Sequence, residues 1–218
     1  MKIDMNTKIP ILLNSYFYKK NQISDRLKEF HEVLNKSDKR IFAELSFCIC
    51  TPQSKAFTCW NAISKLMSNN ILYYGSKEDI NPFLRGIRFH NNKAKYIVEA
   101  RNFFTEQGQL AIKNKIKSFN DPLKLRDWLI KNIKGIGMKE ASHFLRNIGL
   151  GDDLAILDRH VIKNLKGLGV IQTVPKSLSK KRYLEIESKM KAFSQMIGIP
   201  IDALDLLLWS NETGSIYK

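Results

Sequence analysis

The stretch Leu129-Ile-Lys-Asn-Ile-Lys-Gly-Ile-Gly-Met-Lys-Glu-Ala-Ser-His143 decides how the rest of the chain is read. One helix runs into Lys134-Gly135-Ile136-Gly137 and another begins at Met138, so two helices meet across a turn of a few residues. Two glycines permit backbone angles closed to other residues and leave amide N–H groups uncovered, while Ile136 plugs the turn into a core. Uncovered amides at the start of a helix suit an anion such as a phosphate. Taken alone, these four residues read equally well as a helix C-cap glycine followed by a second glycine in a plain loop.

The tetrad recurs at Lys166-Gly167-Leu168-Gly169, and that copy shows how little the glycines decide. The residues after it, Val170-Ile171-Gln172-Thr173-Val174-Pro175, are rich in β-branched side chains, end in proline and offer no helix start, so this copy reads as a C-cap and loop. Two residues past the second glycine stands Lys139 in the first copy and Ile171 in the second.

Outward from the tetrads, helical periodicity dominates. Tyr183, Ile186, Met190, Phe193 and Ile197 fall on one helical face, and so do Ile97, Ala100 and Phe104 within Lys93 to Phe104. Further helices are expected at about 22–35, 38–50, 53–68, 121–132, 138–148, 159–166 and 200–212, with Asp121-Pro122 and Pro200 marking starts. No longer alternating pattern competes, so the fold class is all-α.

Composition narrows the partners. The chain has 218 residues, 44% of them hydrophobic and 26% charged, which excludes a disordered tail and a disulfide-stapled mini-protein. Lys and Arg number 36 against 21 Asp and Glu, leaving +15 and a pI near 9.7. The partner is a polyanion: nucleic acid, an acidic membrane face or an acidic protein. No apolar run approaches the about 18 residues of a membrane span, and no basic helix carries a long apolar face with aromatic anchors. Cys48, Cys50 and Cys59 lack metal-ligand spacing and His31, His90, His143 and His160 are scattered, so no metal, iron–sulfur cluster or other cofactor is expected. An odd cysteine count and the lack of an apolar signal region at the N-terminus favour a cytoplasmic protein.

Ile133 to Ala141 followed by Ala155-Ile-Leu-Asp-Arg-His160 resembles the helix-hairpin-helix, glycine-rich loop and aspartate signature of the base-excision DNA glycosylase superfamily, which includes endonuclease III and the 8-oxoguanine DNA glycosylases. The resemblance implies a single glycosylase unit over 1–218 with two helical subdomains, about 38–150 and 1–37 plus 151–218, and a DNA-binding cleft. It makes Lys139 the nucleophile, with Asp158 standing 19 residues later (158 − 139) as the catalytic aspartate. The chemistry agrees. The positive end of the helix dipole and nearby Lys134 both disfavour an ammonium at Lys139, and a neutral amine can attack the sugar C1′, form a Schiff base and lead to β-elimination. The alternative is a solvated surface lysine. Asp158 precedes the helix Arg159 to Lys166 and reads as its N-cap, a role compatible with stabilising a sugar cation.

The same resemblance assigns DNA contacts. Gly135 and Gly137 would bind backbone phosphate, and His160 matches a phosphate contact, or else is a helix-surface histidine. A glycosylase flips its nucleotide out of the stack, so the gap needs a filler. Gln53, in Thr51-Pro-Gln-Ser-Lys55, matches the inserting glutamine or is an ordinary residue of a helix start. Phe89, in Gly86-Ile-Arg-Phe-His-Asn-Asn-Lys93, matches an apolar wedge, with Arg88 and Lys93 available for phosphates; buried packing of Phe89 is the alternative. The four-cysteine cluster of endonuclease III relatives is missing, and the length leaves no room for an extra N-terminal domain. The ending Asp205-Leu-Leu-Leu-Trp-Ser-Asn-Glu-Thr-Gly-Ser-Ile-Tyr-Lys218 resembles the type 2, archaeal-type 8-oxoguanine DNA glycosylases. On that resemblance Lys218, with its terminal carboxylate, recognises the lesion base and Trp209 stacks on it; a frayed terminus and a core tryptophan are the alternatives, and nothing fixes a role for Asp205. The implied protein is a monomeric DNA glycosylase and AP lyase, cytoplasmic and associated with the nucleoid through its substrate, double-stranded DNA containing oxidised guanine, with no membrane partner. Another oxidised base, such as a pyrimidine lesion, and a non-catalytic DNA-binding module stay open as rivals.

Overall fold

Residues Ile41 to Cys50 are all buried, which the apolar run Ile-Phe-Ala-x-Leu-x-Phe-Cys-Ile-Cys explains: the helix that carries it is hydrophobic on every side. The structure, a computed structural model, describes residues 5–217, with side chains from Lys8 onward. In order the elements are α1 (Met5–Val33), α2 (Asp38–Cys50), α3 (Ala56–Ser68), α4 (Ile71–Tyr74), α5 (Lys77–Ile80), a 3-10 turn (Asn81–Leu84), α6 (His90–Phe103), β1 (Thr105–Glu106), β2 (Gln109–Leu110), α7 (Ile112–Lys117), α8 (Pro122–Asn132), α9 (Met138–Asn147), α10 (Arg159–Gly167), α11 (Lys180–Ile197) and α12 (Ile201–Thr213). The all-α reading holds, apart from one small hairpin.

The chain forms two compact units, one from Glu32 to Ile148 and one that joins the chain up to His31 with the chain from Gly149 onward. In the middle unit, α2 is packed by α3, α6, α7 and α9. Its buried Glu44 is satisfied by Arg40, at 2.6 Å, and by Asn147 Nδ2, at 3.0 Å, as a buried carboxylate must be. Ser37 and Asp121 cap α2 and α8 through their side chains. In the other unit α12 packs against α10 and α11, Ser179 caps α11, and left-handed Gly198 ends it.

Two helix starts and one hairpin differ from expectation. The first helix already includes Met5 rather than starting near residue 22, and it runs on through Pro10, which stands inside it. The helix expected from 53 begins at Ala56: Gln53 adopts φ +55°, a left-handed angle incompatible with a helix. The hairpin is not foreseen because its strands are too short to alternate; Gln107 and Gly108, at φ +48° and +78°, form the left-handed pair that such a tight turn requires. Among the described residues no single helix is long and apolar enough to cross a membrane.

Candidate active site and nucleic-acid interface

The hairpin between α8 and α9 is built on one special angle. Gly135 has φ +83°, and a Cβ there would stand 2.7 Å from the ring of Tyr96, so both backbone angle and close approach require glycine. Ile136 is 6% exposed and fills the turn as expected. Gly137 corrects the reading of two equivalent glycines. It is the N-cap of α9 in ordinary extended backbone, and its N–H donates to Glu140 Oε2 at 3.2 Å, so this amide is already covered by a carboxylate of the chain itself.

Lys139 lies in the first turn of α9 with its side chain 22% exposed, which sets aside the solvated-lysine alternative. Its Nζ donates to Thr51 Oγ1 at 3.1 Å and stands 3.7 Å from Glu140 Oε1. Thr51 is fixed at the end of α2, where its hydroxyl donates to Cys48 O. The like charge expected from Lys134 is spent elsewhere, on Glu99 at 3.3 Å. A different lysine lies nearby: burial holds the Lys93 ammonium below the ordinary lysine range, and Lys139 adds a smaller push in the same direction.

Lys93 is the second correction. Read as a phosphate contact, it is instead 4% exposed, and its Nζ donates to Cys50 O at 2.7 Å, Pro52 O at 2.7 Å and Ser54 Oγ at 3.2 Å. Its three protons meet three acceptors, the condition on which a buried ammonium survives. The Cys50 carbonyl ends α2 and also accepts from Cys59 Sγ at 3.2 Å. Burial pushes the Cys59 thiol up to about 11 and the Cys50 thiol further still, despite the nearby lysines.

Gln53 and Phe89 are both exposed, and both sit at left-handed angles, φ +55° and +59°. Phe89 is 52% exposed, which removes the buried-packing alternative, and the Arg88 guanidinium lies over its ring at 5.0 Å. The loop of Gln53 and the loop of Phe89 are joined directly, because Arg88 N donates to Ser54 Oγ at 3.1 Å.

In the other unit Asp158 is the N-cap of α10, its Oδ1 accepting from the N–H groups of His160 and Val161, each at 2.8 Å. Two residues of α11 that sequence reasoning did not single out hold the segment leading to it. Tyr183 Oη donates to Ala155 O at 2.6 Å and accepts from Leu157 N at 3.2 Å, while Glu187 Oε1 accepts from Ala155 N at 2.9 Å. The available signal was a glutamate one turn after Tyr183 on an otherwise apolar helix face. Arg159 Nε lies 3.3 Å from His160 Nε2, and His160 Nδ1 lies 3.7 Å from Glu212 Oε2. The Lys163 ammonium, together with Asn164 and His160, holds the Glu212 carboxyl below the usual range. Trp209 is half-buried on α12, Asp205 is buried, and Lys218 lies outside the described residues.

Thus the middle unit carries Lys139, Gly135, Gly137, Gln53, Arg88 and Phe89, and the other carries Asp158, His160 and Trp209. Residues 23–199 match the family model described as 8-oxoguanine DNA glycosylase. The chain is 47% identical to the 8-oxoguanine DNA glycosylase/AP lyase of Fusobacterium nucleatum, over 91% of this chain and 92% of the relative. It is similar in structure to the 8-oxoguanine DNA glycosylase of Thermotoga maritima, with a TM-score of 0.87, 34% identity and coverage of 99% and 100% of the two chains. It is also similar to the 8-oxoguanine glycosylase/lyase of Methanocaldococcus jannaschii in complex with a 15mer DNA containing 8-oxoguanine, with a TM-score of 0.85, 35% identity and coverage of 95% and 100%.

Proposed function

The chain belongs to the 8-oxoguanine DNA glycosylase family, and from that premise we propose that it excises 8-oxoguanine from duplex DNA through a Schiff base on Lys139 and then cuts the strand. The observation that supports this most directly is the placement of Lys139: first turn of the hairpin's second helix, mostly buried, with its Nζ hydrogen-bonded to Thr51 Oγ1. As a neutral amine its Nζ forms a bond to C1′ while the bond from C1′ to the base breaks and the base leaves with the bonding pair, taking up a proton. Opening of the sugar ring gives the Schiff base. Loss of a proton from C2′ then expels the 3′ phosphate by β-elimination.

Asp158, fixed by two backbone N–H donors, holds a carboxylate to offset the positive charge that builds on the sugar. Gln53 and Phe89 occupy the gap left by the flipped nucleotide, Arg88, Gly135 and His160 contact the duplex, and Trp209 and Lys218 read the lesion base. The net charge of +15 supplies the sequence-independent grip on duplex DNA. Borohydride trapping with an 8-oxoguanine duplex tests the reading: a covalent adduct is expected, and its persistence in Lys139→Gln would show that another amine is the nucleophile. A panel of duplexes with oxidised pyrimidines checks the lesion, since equal trapping on those would make 8-oxoguanine the wrong substrate.

A further inference from the structure

Gln53 and Phe89 are the two exposed residues that would enter the duplex, and both hold backbone angles that non-glycine residues rarely adopt. Such angles persist only where the surroundings over-determine them. One residue bonds to both segments, through its side chain at Gln53's neighbours and through its backbone N–H at Phe89. Lys93 Nζ donates to Pro52 O and Ser54 Oγ, the neighbours on either side of Gln53, and anchors them to the carbonyl that ends α2. The backbone N–H of the same residue donates to Phe89 O at 3.1 Å, closing the first turn of the helix that Phe89 caps. Ser54 Oγ, which accepts from Lys93, also accepts from Arg88 N.

We propose that Lys93 is a positioning residue that locks Gln53 and Phe89 at a fixed separation, so that the two enter the base stack as one rigid element. This rests on the reading that those two residues fill the gap. Lys93 touches no DNA in this role. Its four-carbon stem and three donors suit the task, because the donors converge on two carbonyls and a hydroxyl of the stretch from Cys50 to Ser54, and that hydroxyl in turn holds Arg88 N.

The test compares Lys93→Met, Gln53→Ala, Phe89→Ala and the double variant Lys93→Met/Gln53→Ala. The assays are single-turnover excision from an 8-oxoguanine duplex and fluorescence of a 2-aminopurine placed beside the lesion. Lys93→Met is expected to slow excision roughly 10- to 100-fold, as a misplacement of about 1 Å would. It should also suppress the unstacking signal, and the double variant should be no slower than the slower single variant within about 3-fold. Borohydride trapping on a single-stranded oligonucleotide with a preformed abasic site, which has no stack to fill, should stay within about 3-fold of wild type because Thr51 and Lys139 are held from α2 and α9.

Multiplicative losses in the double variant, or an equal loss of trapping on the single strand, would overturn the positioning role. Silent Gln53→Ala and Phe89→Ala variants would instead overturn the gap-filling reading, whatever Lys93→Met does. If Lys93→Met does not fold, Ser54→Ala removes one acceptor of the same junction and carries the same comparison, with a smaller loss of excision and of fluorescence expected; an unchanged signal there overturns the proposal.

Discussion

Lys134-Gly-Ile-Gly137 and Lys166-Gly-Leu-Gly169 differ by one aliphatic residue, yet they do different things with their glycines. In the first, α8 stops at Asn132, so the left-handed angle falls on Gly135 and Gly137 is left to open α9. In the second, α10 continues through Gly167, and the left-handed angle falls on Gly169, leaving a loop behind it. A glycine pair therefore marks where a helix can end. Whether a second helix begins is decided by the next residues, Met-Lys-Glu in one case and Val-Ile-Gln in the other.

The sharpest way to break this comparison is at the residue that distinguishes the copies. Lys139→Gln should abolish borohydride trapping and slow excision by at least ~10³-fold, as removal of a nucleophile does. Next comes Asp158, which opens the helix that the second tetrad closes. Asp158→Asn keeps a good cap and removes the charge, so excision should fall about 100-fold or more while the thermal midpoint moves little. A drop in midpoint as large as that of Asp158→Ala would show that the charge serves stability instead.

Backbone substitutions sharpen the difference between the two first glycines. Gly135→Ala meets both a left-handed angle and the Tyr96 ring, and should cost about 2 to 4 kcal/mol by denaturant titration. Adding Tyr96→Ala should recover part of that loss, since it removes the clash and leaves the angle. Gly167→Ala is the opposite case and the smallest effect. It is the last residue of α10, and an added Cβ would find Lys8 Nζ only at ordinary contact distance, 3.8 Å. The substitution should be neutral or stabilise by up to about 1 kcal/mol, and a loss comparable to that of Gly135→Ala would collapse the distinction.

The features legible in the sequence are those carried by neighbours in the chain: the helix-turn-helix around Ile136, the cap at Asp158, the helical faces of α6 and α11. The concealed ones depend on partners far along the chain. Nothing beside Gly135 announces the Tyr96 ring under it. Lys93 and Lys95 look alike in the sequence, two residues apart in a basic stretch. They emerge on different faces of α6, so Lys95 is an exposed partner of Glu99 while Lys93 is driven under the end of α2. Tyr183 reads in the sequence as one more apolar position, although its hydroxyl is what orders the approach to Asp158.

Burial also settles the reactivity of the sulfurs near Lys139. 8-Oxoguanine arises from the same oxidants that attack cysteine, and peroxides react with the thiolate, not the thiol. A thiol pushed up to about 11, as at Cys59, is ionised in roughly one molecule in ten thousand at neutral pH. Cys50 is protected further still. Two lysines beside exposed sulfurs would favour the reactive thiolate; beneath the end of α2, burial outweighs them and keeps both sulfurs as thiols.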